Sequence, residues 1–234
     1  MSDEDIVDWY CTALIEDADF RTRGVAEKAK LWKGKKQLAI GFLGGSPKLQ
    51  DRVLATAKRW TKEGEGGANL TFVKAPDAGD GDIRVSFNAS GGSWSFVGTD
   101  AKDPARKGKA TMNLGWVEEN TADKTFASVV LHEFGHAIGL LHEHNHPDAV
   151  INWNKDAVYA DLMGPPNNWS KATIDFNVFE SYDPKRVVKS MRPDMVSIMI
   201  YTIPARWLRG GQKGIMPGDS LSRGDKTFIR DLYP

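Results

Sequence analysis

The hydrophobic patterning of this 234-residue chain predicts an α/β fold. It reads as a twisted, mostly parallel five-stranded sheet with two long helices in an N-terminal lobe, then an irregular, helix-poor C-terminal lobe, with a cleft between. Three observations predict this. Short alternating runs recur between residues 37 and 116, bounded by glycine, proline and aspartate. Two longer stretches, one after the first of those runs and one after the last, carry apolar residues at helical spacing. Beyond Pro147 strand character fades, and prolines and glycines become frequent.

Taken in order, residues 1–30 form a charged lead-in, and 31–234 are expected to make one catalytic-sized domain, its lobes meeting near residues 139 and 140. Seven basic residues against one acidic between Arg21 and Lys36 are read as a solvated face. The strands expected are Gln37–Leu43, Leu70–Val73, Ile83–Phe87, Ser93–Val97 and Thr111–Trp116. Leu49, Val53, Leu54, Ala57 and Trp60 mark a helix over 49–62. Asp77, Asp80 and Asp82 crowd a glycine-rich turn, which turn chemistry explains, with calcium as the alternative. A second helix is expected from an N-cap at Thr121, burying Phe126, Val129, Val130 and Phe134. A last helix spans Ser222–Tyr233, with Phe228, Ile229 and Leu232 facing the core.

All five histidines fall between His132 and His146, in LHEFGHAIGLLHEHNHP. His132 and His136 are i and i+4, so a helix stacks them on one face where two imidazoles can share a cation. Glu133 sits beside them, within reach of a water on that cation. Gly139 can take the positive φ that turns the chain, bringing His142 back as a third ligand. Three neutral imidazoles and an open position describe a catalytic zinc site, and H-E-x-x-H-x-x-G-x-x-H is the metzincin signature. His144 and His146, beyond the third ligand, are read as surface or supporting residues.

Equal numbers of basic and acidic residues, 31 of each, give no reason to expect nucleic acid or an anionic membrane as partner. No apolar run approaches a membrane span. Cys11 is the single cysteine, which excludes an internal disulfide, and it is read as a small buried hydrophobe rather than a thiolate plugging the metal. The N-terminus lacks the layout of a secretory leader, so a reducing compartment or export without a visible signal is expected. A monomer acting on a peptide or protein is the simplest reading.

HEFGHAIGLLHEH, followed 57 residues after His142 by SIMIY at Met199, resembles the astacin family of metzincin zinc endopeptidases. The likeness spans about residues 31–234. It implies a metzincin-type zincin fold with His132, His136 and His142 on one catalytic Zn2+ and Glu133 as general base. By the same likeness Met199 is the methionine of a turn beneath the metal, and Tyr201 a catalytic tyrosine that can ligate zinc at rest. Glu143 matches the residue that anchors the mature N-terminus in processed astacins. The likeness also makes Ser93, Trp94, Ser95, Phe96 and Val97 the sheet edge bordering the cleft, to which a peptide could add as a strand. The chain departs from the family in its single cysteine, in lacking a recognisable aspartate-switch pro-segment, and in His146 where arginine is common. The closing LSRGDKTFIRDLYP also looks like the last helix of matrixins, the alternative subfamily. A metal-bearing protein on the same fold that does not turn over is the competing functional class. The intact Glu133 argues against it, because a binding module needs no base beside an open metal position.

Overall fold

The computed structural model describes residues 12–14, 26–165 and 167–234. In chain order its elements are β1 (Thr12–Leu14), β2 (Ala26–Glu27), β3 (Gln37–Phe42), α1 (Pro47–Ala57), β4 (Thr71–Lys74), β5 (Ile83–Ser86) and β6 (Ser93–Phe96). There follow β7 (Met112–Leu114), α2 (Asp123–Ala137), α3 (Lys155–Met163), α4 (Lys171–Ile174), β8 (Val187–Val188) and α5 (Arg223–Leu232).

Alternating apolar residues build the sheet. Leu38 lies opposite Phe72, Ile40 opposite Ile83, and Val85 opposite Met112, so the buried side chains of neighbouring strands fall in register. The order is β1-β6-β7-β5-β3-β4. Every neighbouring pair runs parallel except β6 with β7. Parallel pairs need crossovers, and α1 supplies the first of them. Ser46 caps α1 by accepting from the Leu49 N–H at 3.2 Å, and Pro47 sits where a missing N–H costs nothing. The helix buries Leu49, Val53 and Ala57, then tightens into a 3₁₀ turn at Lys58–Trp60, short of the expected Lys62.

Helix α2 packs on α1 and on the sheet through Phe126, Val130 and Phe134, while Val129 is only half-buried. Phe134 meets Phe72 of β4 with ring centroids 5.6 Å apart. Its start corrects the expected cap. Ala122 holds the N-cap position without a side-chain bond, and the Thr121 hydroxyl instead accepts from the Glu118 N–H at 2.8 Å. The loop preceding the helix thereby takes the acceptor that the first turn forgoes. Asp123 does lie in that turn, paired with Arg52 at 2.7 Å.

After α2 the chain is mostly turns and short helices around a second core of Val158, Leu162, Ile174, Val178, Tyr201, Ile203, Trp207 and Leu208. Helix α5 opens on a capping box in which the Ser222 side chain and the Asp225 side chain each accept from the other's backbone N–H. Ile229 is fully buried, and Phe228 and Leu232 pack at its flank.

Three findings revise the lead-in. Ala26, fully buried, begins a two-stranded antiparallel ribbon of β2 with β8 and bridges Leu140, so residues before 31 belong to the packed body. Strand β1 lies parallel along the outer side of β6, giving the five expected strands a sixth. The strand expected at the sheet edge is therefore one place in from it. Lys30, in the basic run, is buried and paired with Asp100 at 2.7 Å rather than solvated. Cys11 lies outside the described residues. In Asp77–Asp82, Asp77 caps the turn by accepting from the Gly79 N–H, whereas Asp82 ties it to β3 by accepting from the Ala39 N–H, both at 2.8 Å, and pairs with Lys35 at 2.5 Å. Among the described residues no helix is long and apolar enough to cross a membrane.

Candidate metal centre

Residues Val130–Ala137 of α2 are buried without interruption, which holds the two histidines on a rigid element. Indole donors grip the helix backbone: Trp60 Nε1 donates to Leu131 O at 2.9 Å and Trp32 Nε1 to Ala137 O at 2.8 Å. The Tyr233 hydroxyl donates to Ile138 O at 2.6 Å just past its end. Gly135 is required by close approach, since a Cβ there would run into Met199 Sδ. Gly139 has φ +100°, and a Cβ would also meet Leu31 Cδ2, so the turn falls where the spacing predicts it.

His132, His136 and His142 converge: among the described residues their ligand nitrogens all lie within 4.8 Å of one another, and all three rings are buried. His132 Nδ1 bonds Ile198 O at 2.8 Å and His136 Nδ1 bonds Leu140 O at 2.9 Å. Carbonyls only accept, so each Nδ1 carries the proton and each Nε2 presents a lone pair. His132 Nε2 is buried without a hydrogen-bond partner in the described residues. His136 Nε2 faces His142 Nε2 at 3.1 Å. Burial pushes His132 down to about 4, and burial followed by the neighbouring His132 pushes His136 well below the usual imidazole range. The His132 and His136 rings, neutral and aiming Nε2 lone pairs into the cluster with that of His132 otherwise orphaned, fit a divalent ion of the zinc type. The donor set is compatible with one such ion.

Around this cluster the second core closes. His142 donates its backbone N–H to the Tyr182 hydroxyl at 2.9 Å. The Tyr201 ring, 3% exposed, stacks on His144 with centroids 4.4 Å apart and lies tilted against His142 at 4.2 Å. His144 and His146 are not surface residues: they are 4% and 0% exposed. His144 Nε2 bonds Asn177 O at 3.0 Å, and His146 Nδ1 accepts from Asp148 while its Nε2 bonds Ser190 O. The loop that carries them is folded inward by these carbonyls, which local spacing could not reveal. Glu133 is buried on α2 at 1% exposure. Glu143 accepts from the Asp194 N–H at 2.8 Å and donates its own N–H to Met199 O at 3.0 Å. Burial raises its carboxyl to about 7, with Asp225 and Asp194 adding repulsion.

Ser93–Phe96 form β6 beside α2, and Val97 follows it at the start of a 3₁₀ turn. Ser93 Oγ accepts from the Trp116 N–H and Ser95 Oγ donates to Phe96 O, so their hydroxyls are already engaged. Trp94 is half-buried and the other four are buried. Sequence reasoning missed Tyr182 and Asp225, although the Ser222-x-x-Asp225 capping box was open to view.

A mostly parallel sheet backed by a helix that carries two imidazoles, with a third returned by a glycine turn, defines a mononuclear metal site of the kind zinc peptidases bear. The description of the peptidase family Astacin matches residues 25–233. The chain belongs to the astacin family. That match sets aside the matrixin-like alternative. Its relatives include two proteins named zinc metalloproteinase nas-36. The one from Haemonchus contortus is 34% identical over 80 residues, 34% of this chain and 11% of that protein. The one from Caenorhabditis elegans is 28% identical over 100 residues, 42% of this chain and 13% of that protein. The chain thus matches a small part of the length of these curated relatives. Among solved structures, myroilysin superposes with a TM-score of 0.81 at 37% identity, covering 89% of this chain and 98% of that one. A second myroilysin structure gives 0.67 at 32%, covering 100% and 96%. High choriolytic enzyme 1, a hatching enzyme zinc-protease of Oryzias latipes, gives 0.51 at 18% over 95% and 98%, a likeness of fold alone.

Proposed function

We propose that this chain is a zinc-dependent endopeptidase in which His132, His136 and His142 hold the ion and Glu133 is the general base. The observation that carries this reading is the orphaned Nε2 of His132 on the same buried helix as Glu133. A bound zinc ion would polarise the scissile carbonyl and bring a water's pKa near neutral. Glu133 takes the attacking water's proton and returns it to the leaving amine, serving as base and then acid. Tyr201, held between His142 and His144, offers a hydroxyl to the oxyanion. Met199, whose Sδ lies where a Cβ on Gly135 would be, would be the methionine of the turn below the ligands.

The two lobes, 31–139 and 140–234, would flank the substrate cleft. An extended peptide would pair with the backbone of Ser93–Val97, since the serine hydroxyls are already engaged, Ser93 by the Trp116 N–H and Ser95 by the Phe96 carbonyl. Thr12–Leu14 holds that pairing edge here, so a substrate strand must take its place.

Glu133→Ala tests the assignment. The variant should retain zinc by metal analysis yet lose chelator-sensitive hydrolysis of casein. Hydrolysis at the parent rate removes Glu133 from the mechanism, and a parent that binds zinc without cleaving peptides favours the non-catalytic class.

A further inference from the structure

We propose that Asp225, on the last helix, is a positioning residue for the metal centre, acting through the Ser197–Ile198 turn on His132. This rests on the reading of His132 as a zinc ligand. The chain of bonds is short. Asp225 Oδ1 accepts from Ser197 Oγ at 2.6 Å, and Oδ2 accepts from the Ile198 N–H at 3.0 Å. Ser197 Oγ accepts in turn from the Met199 N–H at 3.0 Å. The carbonyl of Ile198 then receives the Nδ1 proton of His132 at 2.8 Å. One residue, Ile198, is thus gripped at its N–H by Asp225 and grips a ligand with its C=O.

A capping role alone does not account for this placement. The capping box uses only the Ser222 N–H, at 2.8 Å from Asp225 Oδ2. Asp225 is 6% exposed, and among the described residues three donors engage its oxygens while no cation pairs with it. Burying an ion without a countercharge is costly, and two of the three donors that offset the cost belong to the turn, not to the helix. The carboxylate therefore fixes the turn, and the turn fixes both the tautomer and the tilt of the His132 ring. Outer partners of metal-bound histidines act in this way.

Ser222→Ala supplies the control: it removes the other half of the same cap and a hydroxyl bond to the Asp194 carboxylate, while the Asp225 bonds to Ser197 and Ile198 stay in place. Zinc affinity would be measured on the full chain by competition with a chromophoric chelator. Cobalt(II) substitution would report the ligand field from its visible bands, and melting of the metal-free protein would report stability. Asp225→Asn should weaken zinc binding about ten- to a hundredfold and shift the cobalt bands. Ser222→Ala should lower the melting temperature with affinity and bands unchanged. Parent-like affinity and bands in Asp225→Asn overturn the proposal, as does an equal loss of affinity in both variants. Should Asp225→Asn fail to fold, Ser197→Ala takes its place. It should weaken zinc several-fold, and parent affinity there is equally fatal. A parent that binds no zinc, or a His132→Ala variant that binds it as tightly, removes the zinc reading itself.

Discussion

Helix α2 gives its own side chains to the candidate metal centre, whereas α5 reaches it only by holding other residues. The first is buried along its whole second half and carries His132, Glu133 and His136 on consecutive turns. The second is amphipathic, with Ile229 inside and Arg230 and Asp231 outside, and it touches the site at its two ends. Asp225 at one end grips the turn beneath His132, and Tyr233 beyond the other donates to Ile138 and accepts from the Trp32 N–H at 3.2 Å. The difference teaches that donor atoms need a rigid, sequence-local frame. The restraints that aim them can come from anywhere the fold brings a carboxylate or hydroxyl.

The most damaging break of this comparison is on α2. His136→Ala should take metal content from about one zinc per chain to none after dialysis, since two imidazoles with an open turn hold zinc poorly. Tyr201→Phe comes next, with kcat expected to fall about a hundredfold while KM changes little, as for removal of an oxyanion donor. Steady-state kinetics on a fluorogenic peptide would check it, and an unchanged kcat takes Tyr201 out of the chemistry.

Glu143→Gln probes the ground between the two helices through pH. Burial raises the Glu143 carboxyl from its ordinary 4.5 to about 7. Between those values the folded protein holds a proton that the unfolded chain has released. The stability contributed by that proton is complete below about 4.5 and is lost as pH rises through about 7. The parent should therefore lose up to about 3 kcal/mol relative to the Gln variant between pH 5 and 8 in urea titrations. A constant difference across that range would show that Glu143 ionises freely.

Tyr233→Phe should have the smallest functional effect. It orphans Ile138 O and the Trp32 N–H, costing about 1–3 kcal/mol of unfolding free energy, with zinc affinity untouched. If zinc affinity falls as well, α5 aims the ligands from both ends, and the contrast with α2 becomes one of degree.

Much of the centre was legible because its information is local. The i, i+4 spacing places His132 and His136, Gly139 supplies the positive φ, and the alternating strands keep their expected order with shifted ends. Local spacing leaves His144 and His146 as surface or supporting residues, and the surface alternative fails because Asn177 and Ser190, whose carbonyls draw them in, lie 33 and 44 positions away. Thr121 looked like a cap because hydroxyls favour that position, but a loop N–H three residues earlier captured it. Nothing in Thr12–Leu14 announced that it would cover the outer side of β6, since strand pairing is chosen by the partner as much as by the strand.

The amino-acid order by itself determined which side chains can meet a cation, because a helix repeats every 3.6 residues wherever it packs. It equally determined where the chain must turn, because only glycine adopts those angles without strain. The tertiary structure alone decided what stands behind those side chains: the Ile198 and Leu140 carbonyls, the Tyr182 hydroxyl and the buried Asp225. Such partners are selected by proximity in space, and a polar group removed from water takes whichever donor or acceptor the packing delivers to it.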